Sequence, residues 1–209
     1  NSNLTESFHR DSYREYLKCG NCDFVFVPII YHLSEKDERA RYDSHNNDPE
    51  DDRYRNFLSQ LLNPLQEKIP KNASGLDFGS GPGPTLSLML EECGHSVDLY
   101  DKFYARNDFV FDRQYDFITA SEVAEHLKQP MVELNRLMGL LKSNGVLAIM
   151  TQILTPQIDF EQWYYNNDPS HIGFFSEKAL SFLAEKWQAE LCVISERVVM
   201  FKKNKILFG

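Results

Sequence analysis

The pattern of apolar and polar positions changes period repeatedly along this chain, and the sharpest change lies near residue 75. Gly75-Leu76-Asp77-Phe78 is a short apolar run that breaks into Gly79-Ser80-Gly81-Pro82-Gly83-Pro84. Leu76 to Phe78 predict the end of a buried strand, and Leu86, Met89, Leu90 and Cys93 recur at i, i+3, i+4 and i+7, predicting a helix that opens at Thr85. Gly94 stands where the C′ residue of that helix belongs. Ser96 to Tyr100 predict a second strand, Tyr115 to Val123 a further strand with its exit, and the continuous run Val146 to Met150 a central parallel strand.

Helical stripes fill the intervals. Tyr54, Phe57, Leu58, Leu61 and Leu62 predict a helix that Asn63-Pro64 interrupts or kinks. Leu134, Leu137, Met138 and Leu141 follow Pro130, which suits a first helical turn, and Leu180, Leu183, Ala184 and Trp187 follow the N-cap candidate Ser176. Leu191 to Ile194 and Val198 to Phe201 predict a closing antiparallel pair. Strands alternating with helices predict an α/β fold with a doubly wound sheet.

Two stretches break the alternation. Residues 1–50 predict a small N-terminal unit, in which Ser12 to Lys18 and Phe24 to Val27 form a hairpin around Cys19-Gly20-Asn21-Cys22, followed by a polar connector or mobile lid from Leu33 to Asp52. Residues 51–209 carry the α/β domain. Only fourteen residues separate Asp101 from Asp116, so Phe109-Val110-Phe111 predicts a minimal strand whose preceding helix is reduced to a turn.

Composition narrows the function. The chain has 209 residues, 42% of them hydrophobic, which is enough for a buried core. A net charge of -9 argues against wrapping a nucleic-acid backbone, which draws on clustered Lys and Arg. The expected partner is a small molecule. Neither a long apolar span nor a charged start with an apolar signal core is visible, and a cytoplasmic location is the expectation. Of the four cysteines, Cys93 and Cys192 fall on predicted core faces, while Cys19 and Cys22 are spaced as one zinc knuckle. A four-Cys site needs a second pair about 15 to 20 residues away. His9, His32 and His45 are poor substitutes for it, so zinc is expected here only if an upstream half is present.

The glycines at 79, 81 and 83 let a ligand lie against bare main chain, with the following helix N-terminus open to an anionic group. Asp101 ends the second strand about 20 residues further on, where a doubly wound sheet places a carboxylate on ribose hydroxyls. Asp77-x-Gly79-x-Gly81-x-Gly83, with Asp101 and Tyr115-Asp116-Phe117-Ile118-Thr119-Ala120-Ser121-Glu122-Val123, resembles the class I S-adenosylmethionine-dependent methyltransferases. One residue rather than two separates the second and third glycines, which favours S-adenosylmethionine over NAD. The resemblance implies a Rossmann-like, seven-stranded, mostly parallel sheet with an antiparallel last strand, and a cofactor site at Asp77, Gly79, Ser80, Gly81, Gly83, Asp101, Phe103 and Ser121. Its N-terminal zinc ribbon in similar enzymes matches the lone knuckle here.

Glu122, Glu125 and His126 follow the fourth expected strand at helical spacings, so one face of a helical turn would carry two carboxylates and an imidazole. Glutamates near a helix N-terminus are also ordinary. With the downstream His171, the set resembles the metal site of ubiquinone-pathway O-methyltransferases and of small-RNA 2′-O-methyltransferases. That resemblance implies Glu122, Glu125, His126 and His171 as ligands of a divalent metal such as Mg²⁺ or Mn²⁺, with His126 and His171 as catalytic groups. Trp163, Tyr164, Tyr165, Phe174 and Phe175 surround His171 as packing for an inserted loop or as a substrate wall. The functional expectation is methyl transfer to a small or medium acceptor, at a hydroxyl oxygen. An RNA 2′-O-methyltransferase and a non-catalytic cofactor-binding regulatory module stand as alternatives.

Overall fold

The computed structural model describes residues 4–43 and 47–205. Its main sheet contains β4 (Ser74–Phe78), β5 (Ser96–Tyr100), β6 (Tyr115–Ser121), β7 (Leu141–Met150), β9 (Glu190–Val193) and β10 (Val198–Lys202). The order is β5-β4-β6-β7-β10-β9, with β5, β4, β6 and β7 parallel and β10 antiparallel to both of its neighbours. Six strands replace the seven expected. Residues Asp108–Asp112, read from sequence as a minimal strand, form a 3-10 turn. Asn107 accepts the Phe109 N–H on its side chain, and Tyr115 donates its hydroxyl to the Val110 carbonyl, so these local bonds replace a strand ladder.

The helices follow the apolar stripes. Pro130–Leu140 (α4) starts on its proline, and Glu177–Trp187 (α5) is capped by Ser176 Oγ accepting the Ala179 N–H at 3.1 Å. These two cover one face of the sheet, with Leu134, Leu137, Leu180 and Leu183 against Ile118, Leu147 and Ile149. On the other face, Asp52–Gln66 (α2) and Thr85–Glu92 (α3) press Leu58, Leu61 and Leu90 onto Phe117, Val146, Ala148 and Met200. Neighbouring sheet residues such as Phe117 and Ile118 thus serve opposite cores, as a period of two requires. Helix α2 runs through Pro64 instead of stopping there, because the proline lies in its last turn and costs a single hydrogen bond. Cys93 is exposed at the end of α3 rather than on its core face.

Residues 35 to 43, expected as connector, form a helix, α1 (Glu35–Asp43). Its only buried residue is Glu38, so no apolar stripe announced it. The capping was legible: Ser34 Oγ accepts the Asp37 N–H, and acids fill the first turn.

A second, smaller sheet joins the segment before α1 to the segment after β7. The hairpin around Cys19 and Cys22 is present as β2 (Glu15–Cys19) and β3 (Val25–Phe26), flanked by β1 (Thr5–Arg10) and by β8 (Gly173–Phe174) from the segment after β7. All its pairings are antiparallel. Tyr16, Val25 and Val27 share one apolar cluster with Phe160, Trp163, Ile172 and Phe174. No helix among the described residues is long and apolar enough to cross a membrane.

Candidate active site

The glycine loop leaves β4 at the edge where the parallel strands end. Gly79 has φ +80°, and a Cβ there would lie 2.4 Å from Val123 Cγ2, so both backbone conformation and space require glycine. Its N–H and that of Ser80 donate to the Tyr100 carbonyl, tying the loop to the end of β5. Asp101 completes the tie. Its Oδ2 accepts the Gly81 N–H at 3.0 Å, while Oδ1 accepts the Phe103 and Tyr104 N–H groups.

A cavity of about 770 Å³ opens above this loop. Of the sequence-predicted cofactor residues, Gly79, Ser80, Gly81, Asp101, Phe103 and Ser121 line it. Asp77 and Gly83 sit behind its wall. The Asp77 carboxylate is buried, accepting hydroxyls from Ser87 at 2.8 Å and Thr119 at 2.7 Å, so it ties β4 to α3 and β6; burial raises its pKa. A Cβ on Gly83 would meet the Asn47 carbonyl oxygen at 2.3 Å, so that glycine admits the chain entering α2. Ser80 Oγ is buried with no hydrogen-bond partner, a polar atom in the loop that a bound nucleoside amino acid could satisfy.

Helix α1 forms the cavity's outer wall through Glu35, Glu38 and Tyr42. Three loops hold it there. Lys102 and Lys128 reach Glu38 at 2.5 and 3.5 Å, Arg41 pairs with Asp168 at 2.8 Å, and the Tyr104 hydroxyl donates to Asp43. Burial opposes ionisation of Glu38, but the two lysines hold its carboxyl below the ordinary glutamate range.

At the inner end lie the predicted acids and imidazoles, and they do not share a helical face. Glu122 donates its N–H to the Met150 carbonyl, extending the sheet by a residue, and then turns with φ +53°; the helical turn begins only at Ala124. Glu125, His126 and His171 nonetheless converge, with one ligand atom from each lying within 4.8 Å of the others. Glu122 is outside that group but lines the same cavity. Its Oε1 is buried without a partner, and burial, followed by repulsion from Glu125, pushes its pKa up to about 8.

Glu125 is fully buried. Its Oε1 accepts the Tyr165 hydroxyl at 2.6 Å, and its Oε2 has no partner. Burial raises its pKa, and His171 and Tyr165 oppose that rise. His126 Nδ1 lies 2.9 Å from the Ser170 carbonyl, and His171 Nδ1 lies 2.7 Å from the Tyr165 carbonyl. A carbonyl oxygen only accepts, so each Nδ1 carries a proton, and in the neutral ring Nε2 then holds the lone pair. Burial further lowers the pKa of His171, favouring the neutral ring. Two such imidazoles beside the Glu125 carboxylate, with His126 Nε2 4.0 Å from Oε1, fit a divalent cation, and a backbone carbonyl on each Nδ1–H is the usual outer support of such ligands. Among the described residues this is the one group of that kind, so Cys19 and Cys22 find no third ligand there; His45 lies outside the described residues.

A family model described as a methyltransferase domain matches residues 51–192. The chain belongs to the methyltransferase-domain family. No curated protein matches it by sequence. Among solved structures, this methyltransferase is similar to CalO1, a methyltransferase of calicheamicin biosynthesis in its S-adenosylhomocysteine-bound form, at 13% identity and a TM-score of 0.52. That match covers 69% of this chain but only 53% of the other, so the chain spans about half of that relative's length. The 1,6-didemethyltoxoflavin-N1-methyltransferase of Burkholderia thailandensis is similar over 96% of this chain and 100% of its own, at 15% identity and a TM-score of 0.52. An O-methyltransferase family protein of the same organism matches at 14% identity and a TM-score of 0.51, over 80% of this chain and 63% of its own. The fold is therefore that of the class I S-adenosylmethionine-dependent methyltransferases, with one strand fewer than expected.

Sequence reasoning missed several residues that shape this methyltransferase's cavity. Tyr42, Lys102 and Lys128 carry no motif, because α1 has no apolar stripe and the lysines sit in short loops. Tyr165 was read only as a member of an aromatic cluster, yet its ring lies 4.2 Å from that of His171 while its hydroxyl holds Glu125.

Proposed function

We propose that this methyltransferase transfers a methyl group from S-adenosylmethionine to a hydroxyl oxygen of a small acceptor, with Glu125, His126 and His171 at the reacting end of the cavity. The observation that carries this reading is the convergence of one buried carboxylate and two Nδ1–H imidazoles beside the cavity lined by the glycine loop and Asp101. S-adenosylmethionine, when bound, supplies a methyl carbon already activated by its sulfonium. A divalent cation such as Mg²⁺ or Mn²⁺, when held by Glu125, His126 and His171, lowers the pKa of a hydroxyl beside it.

The chain's own residues do the rest. Gly79, Ser80 and Gly81 receive the charged amino-acid end on bare main chain, Asp101 orients the ribose hydroxyls, and Phe103 walls the adenine. Alignment of the acceptor with the C–S bond is their main contribution. A hydroxyl must also lose its proton, which an amine or thiolate acceptor need not, and that requirement is why the histidines favour oxygen. One structural relative, solved with 1,6-didemethyltoxoflavin, fits a small acceptor, and another is an O-methyltransferase family protein.

A metal-free version uses the same rings. In it the acceptor oxygen bonds to the methyl carbon, the C–S bond breaks to leave S-adenosylhomocysteine, and the proton passes to His171 Nε2. Its support is the lowered pKa of His171, which keeps that nitrogen unprotonated.

The test is transfer of labelled methyl from S-adenosylmethionine to a panel of phenols and catechols, with and without EDTA. Activity lost to EDTA and restored by Mn²⁺ supports the metal version. Activity that survives EDTA but falls in His171→Ala supports the imidazole base. Cofactor binding with no transfer to any hydroxyl acceptor overturns both and favours a regulatory module.

A further inference from the structure

Arg14 lies in the tight turn between β1 and β2, far in sequence from the catalytic cluster, yet it is 7% exposed. A guanidinium has five N–H donors. Here all five have acceptors. Nε donates to the Tyr16 hydroxyl at 2.8 Å; Nη1 donates to the carbonyls of Pro169 at 3.2 Å and His171 at 2.9 Å; Nη2 donates to those of Asn166 at 2.5 Å and Asp168 at 3.0 Å. The Tyr16 hydroxyl in turn donates to Asp11 Oδ2, so a carboxylate two bonds away compensates the buried charge.

The four carbonyls belong to one short loop, and two more carbonyls of that loop have a different use. Those of Tyr165 and Ser170 accept the Nδ1–H groups of His171 and His126. Along residues 165 to 171 the guanidinium thus takes four carbonyls and the two imidazoles take two. A peptide plane turned toward Arg14 fixes the direction of the next one, since the two share a Cα and each plane is rigid. Beside the turn at residues 164–167 and strand β8, the loop is held by the His171 N–H on the Asp168 carbonyl, the Ile172 N–H on the Glu125 carbonyl and the Ser170 N–H on the Asp168 carboxylate, and Arg14 gathers four of its carbonyls onto one group.

We propose that Arg14 is a positioning residue for the methyl-transfer site, setting through the 166–171 carbonyls the orientation of the two carbonyls that hold His126 and His171 in their Nδ1–H tautomers. The inference rests on the reading that these histidines act in methyl transfer. It makes the N-terminal sheet a working part of the site. Lysine cannot replace Arg14, because three donors on one nitrogen cannot span four diverging carbonyls.

The experiment uses the full chain without added metal, labelled with ¹⁵N-histidine and held at a pH where both rings are neutral. Imidazole ¹⁵N shifts report the tautomer directly. In the wild type both histidines should show a protonated Nδ1 and an unprotonated Nε2. In Arg14→Lys and Arg14→Gln at least His171 should move to a tautomer mixture. S-adenosylhomocysteine affinity, measured by calorimetry, should be unchanged in both and certifies that the glycine-loop side is folded. Tyr16→Phe removes the Nε partner and its link to Asp11 but leaves the four carbonyl bonds of Arg14, and it should keep both tautomers. With an accepted acceptor, turnover of Arg14→Lys should fall about tenfold, the lower end for outer-shell losses. Either Arg14 variant that binds S-adenosylhomocysteine normally and keeps both Nδ1–H tautomers would overturn the proposal, as would an Nε2–H tautomer at His171 in the wild type. Failure of the functional reading appears elsewhere, as absent methyl transfer with the tautomer change intact.

Discussion

The hydroxyl of Tyr165 donates to Oε1 of Glu125 at 2.6 Å, in a site where that carboxylate has no contact with solvent. One tyrosine therefore stabilises the ionised form of the deepest acid while its own backbone carbonyl fixes His171. Removing the hydroxyl separates the two roles, because Phe keeps the ring and the carbonyl.

Tyr165→Phe should leave Glu125 Oε1 short of a partner and raise its already raised pKa further. A smaller fraction of Glu125 is then ionised at neutral pH, so the acid limb of the pH–rate profile should move to higher pH. The lost bond to a charged group corresponds to about 1.5–3 kcal/mol. A pH–rate profile identical to the wild type would show that Glu125 is not ionised in the working enzyme.

Asp101→Ala should weaken S-adenosylhomocysteine binding by about 1.5–3 kcal/mol, since charge-assisted bonds to the ribose are lost. The variant also frees the Gly81 N–H that Asp101 now accepts, loosening the glycine loop. Calorimetry across temperatures separates the effects: loop loosening should appear as a larger entropic cost of binding, whereas loss of ribose contacts alone should appear in the enthalpy.

Glu122→Gln should stabilise the fold at mildly alkaline pH. The folded-state pKa, near 8, lies above the ordinary value of 4.5, so ionising this buried group opposes folding. The sign runs with pH: the penalty is absent below the unfolded value, grows as pH rises through the interval, and is complete above the folded value. Thermal unfolding of wild type and variant should accordingly diverge from pH 5 upward and coincide below about pH 4, where the carboxyl is protonated in both states.

Asp168 behaves in the opposite sense. Burial alone would raise it, but Arg41 and Ser170 hold its carboxyl far below the usual aspartate range. Its contribution to stability is full above the unfolded value, about 3.9, and is lost as pH falls toward the folded one. Acid should first release α1 from the 166–171 loop. Protection of residues 35–43 against hydrogen exchange, referred to the intrinsic rate at each pH, should fall below about pH 4 in the wild type and already at neutral pH in Asp168→Asn.

Much of this was legible because it is periodic. The stripe of Leu58, Leu61 and Leu62, the run from Val146 to Met150 and the glycines at 79 and 81 each state their conformation locally, and their order dictates a doubly wound sheet. The convergence of His126 and His171 was also readable, since exit loops of neighbouring parallel strands share one edge. What escaped was encoded by single polar contacts. Helix α1 covers the cavity through ion pairs rather than an apolar face, Glu122 leaves the expected helical turn through one positive φ, and Phe109-Val110-Phe111 is held as a turn by Asn107 and Tyr115. No spacing rule links Arg14 to residues more than 150 positions away.

Strand β3, made before any strand of the main sheet, pairs with β8 through Val25 and Phe174. Its partner emerges only after every parallel strand of the main sheet has been made. Pairing across so long a loop is entropically slow, and the central sheet, with its more local contacts, can condense first. The order of assembly then has a chemical meaning: a chain caught with its main sheet formed and its small sheet open would already have the glycine loop and Asp101 but would still lack the loop that seats both imidazoles. Such a species could take up the nucleoside before it could act on anything, and competence for catalysis would mark the last folding event, not the first.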